Sequence, residues 1–190
     1  LLQVNDALFP IGAYSHSQGL ETYIQNGIVH DEKTAEEYIK NKIKWNFATT
    51  ELLSVKLAYE SAEAERLEEL EELEEILEAS RIPMEQRDAV RKMGSRFVKT
   101  IEKLDLEINE TGIYKEYVTA RKGKNISHSC VYGVFCSALG IELEEALEHY
   151  LYAQTSAMVT NCVKTIPLSQ SVGQKLLSRC FFEFQEVLET

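Results

Sequence analysis

Groups capable of chemistry crowd into one short stretch near the start of the chain. Ser15, His16, Ser17 and Glu21 lie there, with Tyr14 and Gln18 between them. A hydroxyl, an imidazole and a carboxylate are the ingredients of nucleophilic catalysis. Their spacing argues against that use, because neighbouring side chains on one short segment rarely align as a relay. The flanking glycines do not form GxSxG, so no nucleophile elbow is present. The segment also lacks a phosphate-loop lysine, and GxxxxGK[ST] occurs nowhere in the chain. The remaining reading is a shaped loop. Pro10 fixes one φ angle, Gly12 and Gly19 allow turns closed to other residues, and the hydroxyls serve backbone groups. His16 is the side chain placed to line a passage or meet a partner. The chain is therefore expected to have no catalytic residues. The competing enzyme reading, a hydrolase working through Ser15 or Ser17, requires labelling by a serine-reactive probe.

Metal-ligating types are scattered. Besides His16 the histidines are His30, His128 and His149, and the cysteines are Cys130, Cys136, Cys162 and Cys180. Imidazole and thiolate suit nickel, but no CxxC occurs and the cysteine spacing matches neither a zinc finger nor a disulfide framework. His128 and Cys130 form an H-x-C pair, and on a helix this spacing turns the two side chains about 200° apart. No metal site is expected, and the cysteines read as free buried thiols of a reducing compartment.

The elements that must position these residues are helical. Residues 3–9 are apolar around Asn5 and Asp6 and stop at Pro10. A short helix is predicted from Ser17 to Gln25, ended by Asn26-Gly27. Thr34 and Glu37 have capping-box spacing. After them Ile39, Ile43, Phe47, Leu52, Val55 and Tyr59 make one long amphipathic helix. Residues 60–78 hold ten glutamates and one arginine. Leu67, Leu70, Leu73, Ile76 and Leu77 interleave with them, which predicts a solvated acidic helix.

Pro83 suits the first turn of the next helix, whose stripe is Val90, Met93, Phe97, Ile101 and Leu104. Gly94 within it, like Gly133 further on, predicts close helix–helix approach. Residues 113–122 are ambiguous, and Lys115, Arg121, Lys122 and Lys124 form the one notable basic patch. Ser127 is placed to cap a short apolar helix over 128–139. A long helix over 142–165 follows, with Leu143, Leu147, Leu151, Met158 and Cys162 on its apolar face. Pro167 ends it. Ser171 and Gln174 have capping-box spacing before a final helix carrying Val172, Leu176, Cys180, Phe184 and Val187. The fold class is all-α, a single compact multi-helix domain over residues 1–190 with about seven to nine helices.

Composition sets the remaining bounds. The chain has 190 residues and a formal net charge of −11. Nucleic acid is excluded as an expected partner, because a phosphate backbone calls for a basic face. No apolar run approaches the roughly 20 residues of a membrane span and no signal peptide is visible. A cytoplasmic protein with no membrane contact is expected, and a basic protein or a divalent cation remains compatible as partner.

Four motifs in order resemble the urease accessory protein F (UreF) family. The first is Leu8, Pro10, Gly12, Tyr14, Ser15, Ser17, Gln18, Gly19, Leu20 and Glu21; Ala13 and Tyr14 stand where family members often have glycine and phenylalanine. The second is Glu85-Gln86-Arg87 followed by Arg91-Lys92-Met93-Gly94. The third is His128 ahead of Tyr132-Gly133. The fourth is Ile166-Pro167-Leu168-Ser169-Gln170, with Ser169 in place of the usual glycine.

The resemblance implies a cytoplasmic, all-helical and usually dimeric protein that is not an enzyme. It implies binding to a UreD/UreH-type accessory protein, recruitment of the GTPase UreG and delivery of nickel to apo-urease. No tightly bound cofactor is expected, only transient nickel. The site residues it implies, for partner binding or passage, are Pro10, Gly12, Tyr14, Ser15, His16, Ser17, Gln18, Gly19 and Glu21 with Pro167, Leu168 and Gln170. Family members commonly carry a C-terminal extension that helps to dock the partner, and no tail docking is assigned here. The alternative reading is an acidic helical protein–protein adaptor without a nickel role.

Overall fold

The structure, a computed structural model, describes residues 1–6, 8–12, 19–81 and 84–189. Among them there is no strand, and the all-α expectation holds. The α-helices are α1 Leu20–Gln25, α2 Glu32–Lys42, α3 Leu53–Glu63, α4 Leu67–Ser80, α5 Met84–Ile101, α6 Gly112–Ala120, α7 His128–Ala138, α8 Leu143–Thr165, α9 Gln170–Arg179 and α10 Phe181–Leu188. Short 3-10 turns cover Leu2–Asn5 and Glu107–Asn109, and a π-helix, Ile43–Leu52, joins α2 to α3 without a break. Counting that rod once, and α9 with α10 once because only Cys180 parts them, gives eight helical units among the described residues. No helix among these residues is long and apolar enough to cross a membrane.

The π stretch explains how one apolar stripe stays on one face. Ile39, Ile43 and Phe47 recur every four residues, but Phe47 and Leu52 are five apart. In an α-helix that step would turn Leu52 about 140° away from Phe47. Bonding from i to i+5 widens the turn by one residue, and Ile39, Ile43, Phe47 and Leu52 are all buried.

The centre of the molecule is α7. Every residue from His128 to Cys136 is buried, as a helix must be that is apolar on all sides. It packs against α3, α5, α6, α8 and α4, and one continuous core runs from Val4 to Phe184. Gly133 allows α3 to approach, since a Cβ there would stand 2.4 Å from the Val55 carbonyl oxygen. At Gly94 the partner is not a helix as expected. A Cβ there would stand 2.1 Å from the carbonyl oxygen of Ile126, in the segment entering α7.

Several sequence expectations shift. The capping box at α2 is formed by Asp31 and Thr34, one turn earlier than Thr34 and Glu37: Thr34 N–H donates to Asp31 Oδ1 at 2.8 Å and Asp31 N–H to Thr34 Oγ1 at 3.1 Å. Likewise α9 is capped by Ser169 rather than Ser171, because Val172 N–H donates to Ser169 Oγ at 3.2 Å. Glu65, at φ 53°, ends the rod and starts α4 afresh. The acidic helix is solvated on one side only, for it buries Leu70, Glu74 and Leu77. The ambiguous region 113–122 is largely α6. The predicted start of α1 at Ser17, and Pro83, lie outside the described residues.

Candidate functional site

The described parts of the N-terminal motif are Pro10 and Gly12 on one side and Gly19, Leu20 and Glu21 on the other. Tyr14, Ser15, His16, Ser17 and Gln18 lie outside the described residues. Before the gap the chain alternates. Phe9 and Ile11 are buried, while Leu8 and Pro10 face outward. Phe9 sets its ring 5.7 Å from Phe97, and the Ile11 carbonyl accepts from Arg96 at 3.4 Å. Asn5 Nδ2 donates to the Tyr132 hydroxyl at 2.9 Å, and that hydroxyl donates to the Ala146 carbonyl at 3.2 Å. Gly12 and Gly19 both adopt positive φ, 78° and 93°, as the sequence led one to expect. Beyond the gap Leu20 is buried and Glu21 is exposed in the first turn of α1, where a carboxylate suits the helix dipole.

Beneath this segment runs a buried chain of polar and aromatic groups that the sequence did not assemble. Phe97 meets the His128 ring edge-on at 5.5 Å. His128 stacks on Tyr150, also at 5.5 Å, and the Tyr150 hydroxyl donates to Glu51 at 3.3 Å. Glu51 pairs with Arg81 at 3.2 Å, and Arg81 donates to Ser127 Oγ at 3.3 Å. The Ser127 N–H reaches both oxygens of Glu74, and the Tyr117 hydroxyl donates to the same carboxylate.

Burial dominates the electrostatics here. It holds the His128 imidazole neutral, lowering its pKa to about 4, and neither ring nitrogen has a hydrogen-bond partner among the described residues. It raises the Glu74 carboxyl against the opposing hydrogen bonds from Tyr117 and Ser127. It raises the Cys136 thiol to about 12, Cys162 to about 11 and Cys180 to about 12, and Cys130 well above the usual thiol range. All four cysteines are free and buried, as expected, and burial favours the neutral thiol in each. Among the described residues no three His, Cys, Asp or Glu side chains converge as a metal cluster.

Glu74 was legible in one respect: it shares the three-and-four spacing of Leu70 and Leu77, which places it on the buried face of α4. Arg81, Glu51 and Tyr150 come from separate elements, and no local signal joins them.

The Ile166–Gln170 motif lies at the far end of α8. Ile166 is buried in extended conformation, Pro167 is exposed and Leu168 packs half-buried against the core. Ser169 caps α9, and Gln170 opens it on the surface. The residue that replaces the family's usual glycine therefore has a structural task. The N-terminal motif and this turn do not form one cluster. Asn5, through Tyr132, is tied to Ala146 at the start of α8, and Pro167 follows the end of that helix, about 30 Å away along its axis. Helix α1 lies along part of this span, setting Tyr23 at a tilt against Tyr38 of α2 at 5.3 Å, beside Cys162 of α8.

A family model described as UreF covers residues 29–181, from just before α2 to the first residue of α10. The Pro167–Gln170 turn lies inside this stretch and the N-terminal motif outside it.

Proposed function

The chain belongs to the UreF family of urease accessory proteins, and from that premise we propose that it is a non-enzymatic scaffold bridging a UreD/UreH-type protein and the GTPase UreG while nickel is inserted into apo-urease. The observation that carries this reading is the family match over residues 29–181, which takes in all of α2 to α9. In this reading nickel is cargo, held transiently, and the working form is a cytoplasmic homodimer. The geometry suits contact rather than turnover. Exposed Pro10 and Glu21, and exposed Pro167 and Gln170, rest on rigid, buried supports. Loops fixed by a packed scaffold are where recognition residues are commonly found.

The test is co-purification with the matching UreD/UreH and UreG proteins, followed by urease activation in vitro with nickel and GTP. A stable complex that raises activation is the expected result. No complex from this chain or from a longer one overturns the reading in favour of an acidic adaptor with no nickel role. Substitutions at Tyr14, His16 and Gln18, checked for intact folding, assign the N-terminal loop. Full activation by folded variants removes it from the contact surface.

A further inference from the structure

A basic groove stands out on an acidic protein. It has a volume of about 340 Å³ and lies between α5, α6 and the loop that leads to α7. Lys99, Lys115, Lys122 and Lys124 border it, with Arg121 beneath. Two of these cations are already committed. Arg121 pairs with Glu75 at 2.9 Å and donates twice to the Asn125 carbonyl, and Lys124 pairs with Glu71 at 2.7 Å. Lys99, Lys115 and Lys122 are exposed and form no ion pair among the described residues. One carboxylate, Glu102, also lines the groove, three residues after Lys99 and near enough to Tyr114 to act on it.

The floor carries two polar atoms that lack partners among the described residues. Tyr114 is only 2% exposed, its ring held edge-on to Phe135, and its hydroxyl has no hydrogen bond. Asn109 donates through Nδ2 to the carbonyls of Ile101 and Leu104, at 2.9 and 2.8 Å, which fixes the amide and leaves buried Oδ1 unpartnered. Leaving a buried donor and a buried acceptor unsatisfied is costly. A guest that brings one acceptor, one donor and negative charge at the rim matches these groups.

We propose that this groove binds a short acidic peptide segment of a partner protein. Its main chain offers a carbonyl to Tyr114 and an N–H to Asn109, and its Asp or Glu side chains meet Lys99, Lys115 and Lys122. Peptide is favoured over a lone phosphate because the free lysines come from three different elements, α5, α6 and the following loop, so their charges surround the groove rather than converge on one point. The volume falls in the range of ordinary ligand pockets. The proposal is independent of the urease reading.

The experiment is fluorescence anisotropy of the full chain with a panel of short labelled Asp- and Glu-containing peptides, each paired with its Asn or Gln counterpart. Acidic peptides should bind and neutral ones should not, and binding should weaken as salt rises. The triple reversal K99E/K115E/K122E should weaken binding by about tenfold or more. Tyr114→Phe, which keeps the ring and removes only the hydroxyl, should weaken it several-fold without lowering the melting temperature. No preference for acidic peptides overturns the proposal, as does unchanged binding by the triple variant. Unchanged binding by Tyr114→Phe reduces the groove to unspecific charge attraction and overturns it as a built site. Full displacement by stoichiometric inorganic phosphate assigns the groove to phosphate and overturns the peptide.

Discussion

The Ser127 backbone N–H lies 2.9 and 3.0 Å from the two carboxylate oxygens of Glu74, a side chain only 1% exposed. Ser127 is the residue before α7, and its own hydroxyl makes no capping bond but accepts from Arg81. A carboxyl group from α4 therefore does what a capping side chain usually does, satisfying a donor at the helix start. The central helix is thereby fastened to the acidic one.

Glu74→Ala leaves the Ser127 N–H and the Tyr117 hydroxyl buried without acceptors, at about 1–3 kcal/mol each. We expect a total loss of about 3 kcal/mol, read as a fall in melting temperature of about 6–12 °C. Glu74→Gln keeps one acceptor oxygen and should cost clearly less. Urea unfolding of both variants decides it, and an alanine variant as stable as the parent removes Glu74 as the fastening point.

His128 makes stability depend on acidity. Its pKa is lowered by burial from 6.5 in the unfolded chain to about 4 in the fold, so the unfolded chain takes up the proton first. Its stabilising contribution is fully present above pH 6.5 and is lost as pH falls towards 4, by about 1.4 kcal/mol per pH unit and about 3 kcal/mol in all. Glu74, with its folded pKa raised, acts with the opposite sign and loses stability as pH rises. Comparing the parent with His128→Phe at several pH values cancels the Glu74 contribution. The variant should show a flatter profile between pH 6.5 and 4, and parallel profiles would mean that His128 is solvated.

Gly133→Ala should force α3 and α7 apart, since its Cβ would stand 2.4 Å from the Val55 carbonyl oxygen, which is backbone and has no rotamer to change. Overpacking of this kind costs about 1–3 kcal/mol. At Gly173 the nearest atom is instead a methyl of Val163, at 2.7 Å, so a side chain rather than backbone must give way. Thermal melting of the two alanine variants should place Gly133→Ala well below Gly173→Ala, and equal values would show that the helices separate freely.

The parts of this fold that were legible in the sequence are those written in local spacing. The stripe from Ile39 to Tyr59, the enclosed helix around Tyr132 and the tight glycines at 94 and 133 all follow from periodicity and residue size. The capping boxes were displaced because Thr34 and Ser171 match the pattern as well as the true N-caps, Asp31 and Ser169, and only hydrogen bonds distinguish them. The π stretch was hidden because its five-residue step from Phe47 to Leu52 looks like a small irregularity in an α-helical stripe. The relay from His128 through Tyr150, Glu51 and Arg81 back to Ser127 joins four separate parts of the chain, and such long-range pairing leaves no mark in any short window. Glu74 was read as solvated because acids surround it, although its register with Leu70 and Leu77 places it inside.

The turn after α8 allows folding and function to be separated at neighbouring residues. Ser169 caps α9, so Ser169→Ala should cost about 1 kcal/mol, whereas Ser169→Gly should cost only a few tenths and restores the glycine usual in the family. Pro167 and Gln170 are exposed, and no packing depends on the Gln170 side chain reaching the core. If the turn is a partner surface, Gln170→Ala and Pro167→Ala should melt within about 2 °C of the parent yet activate urease poorly in the reconstituted system. Ser169→Gly should activate normally. Loss of activation that follows melting temperature across all four variants would instead make the turn a packing element, and would move the search for the partner surface to the N-terminal loop.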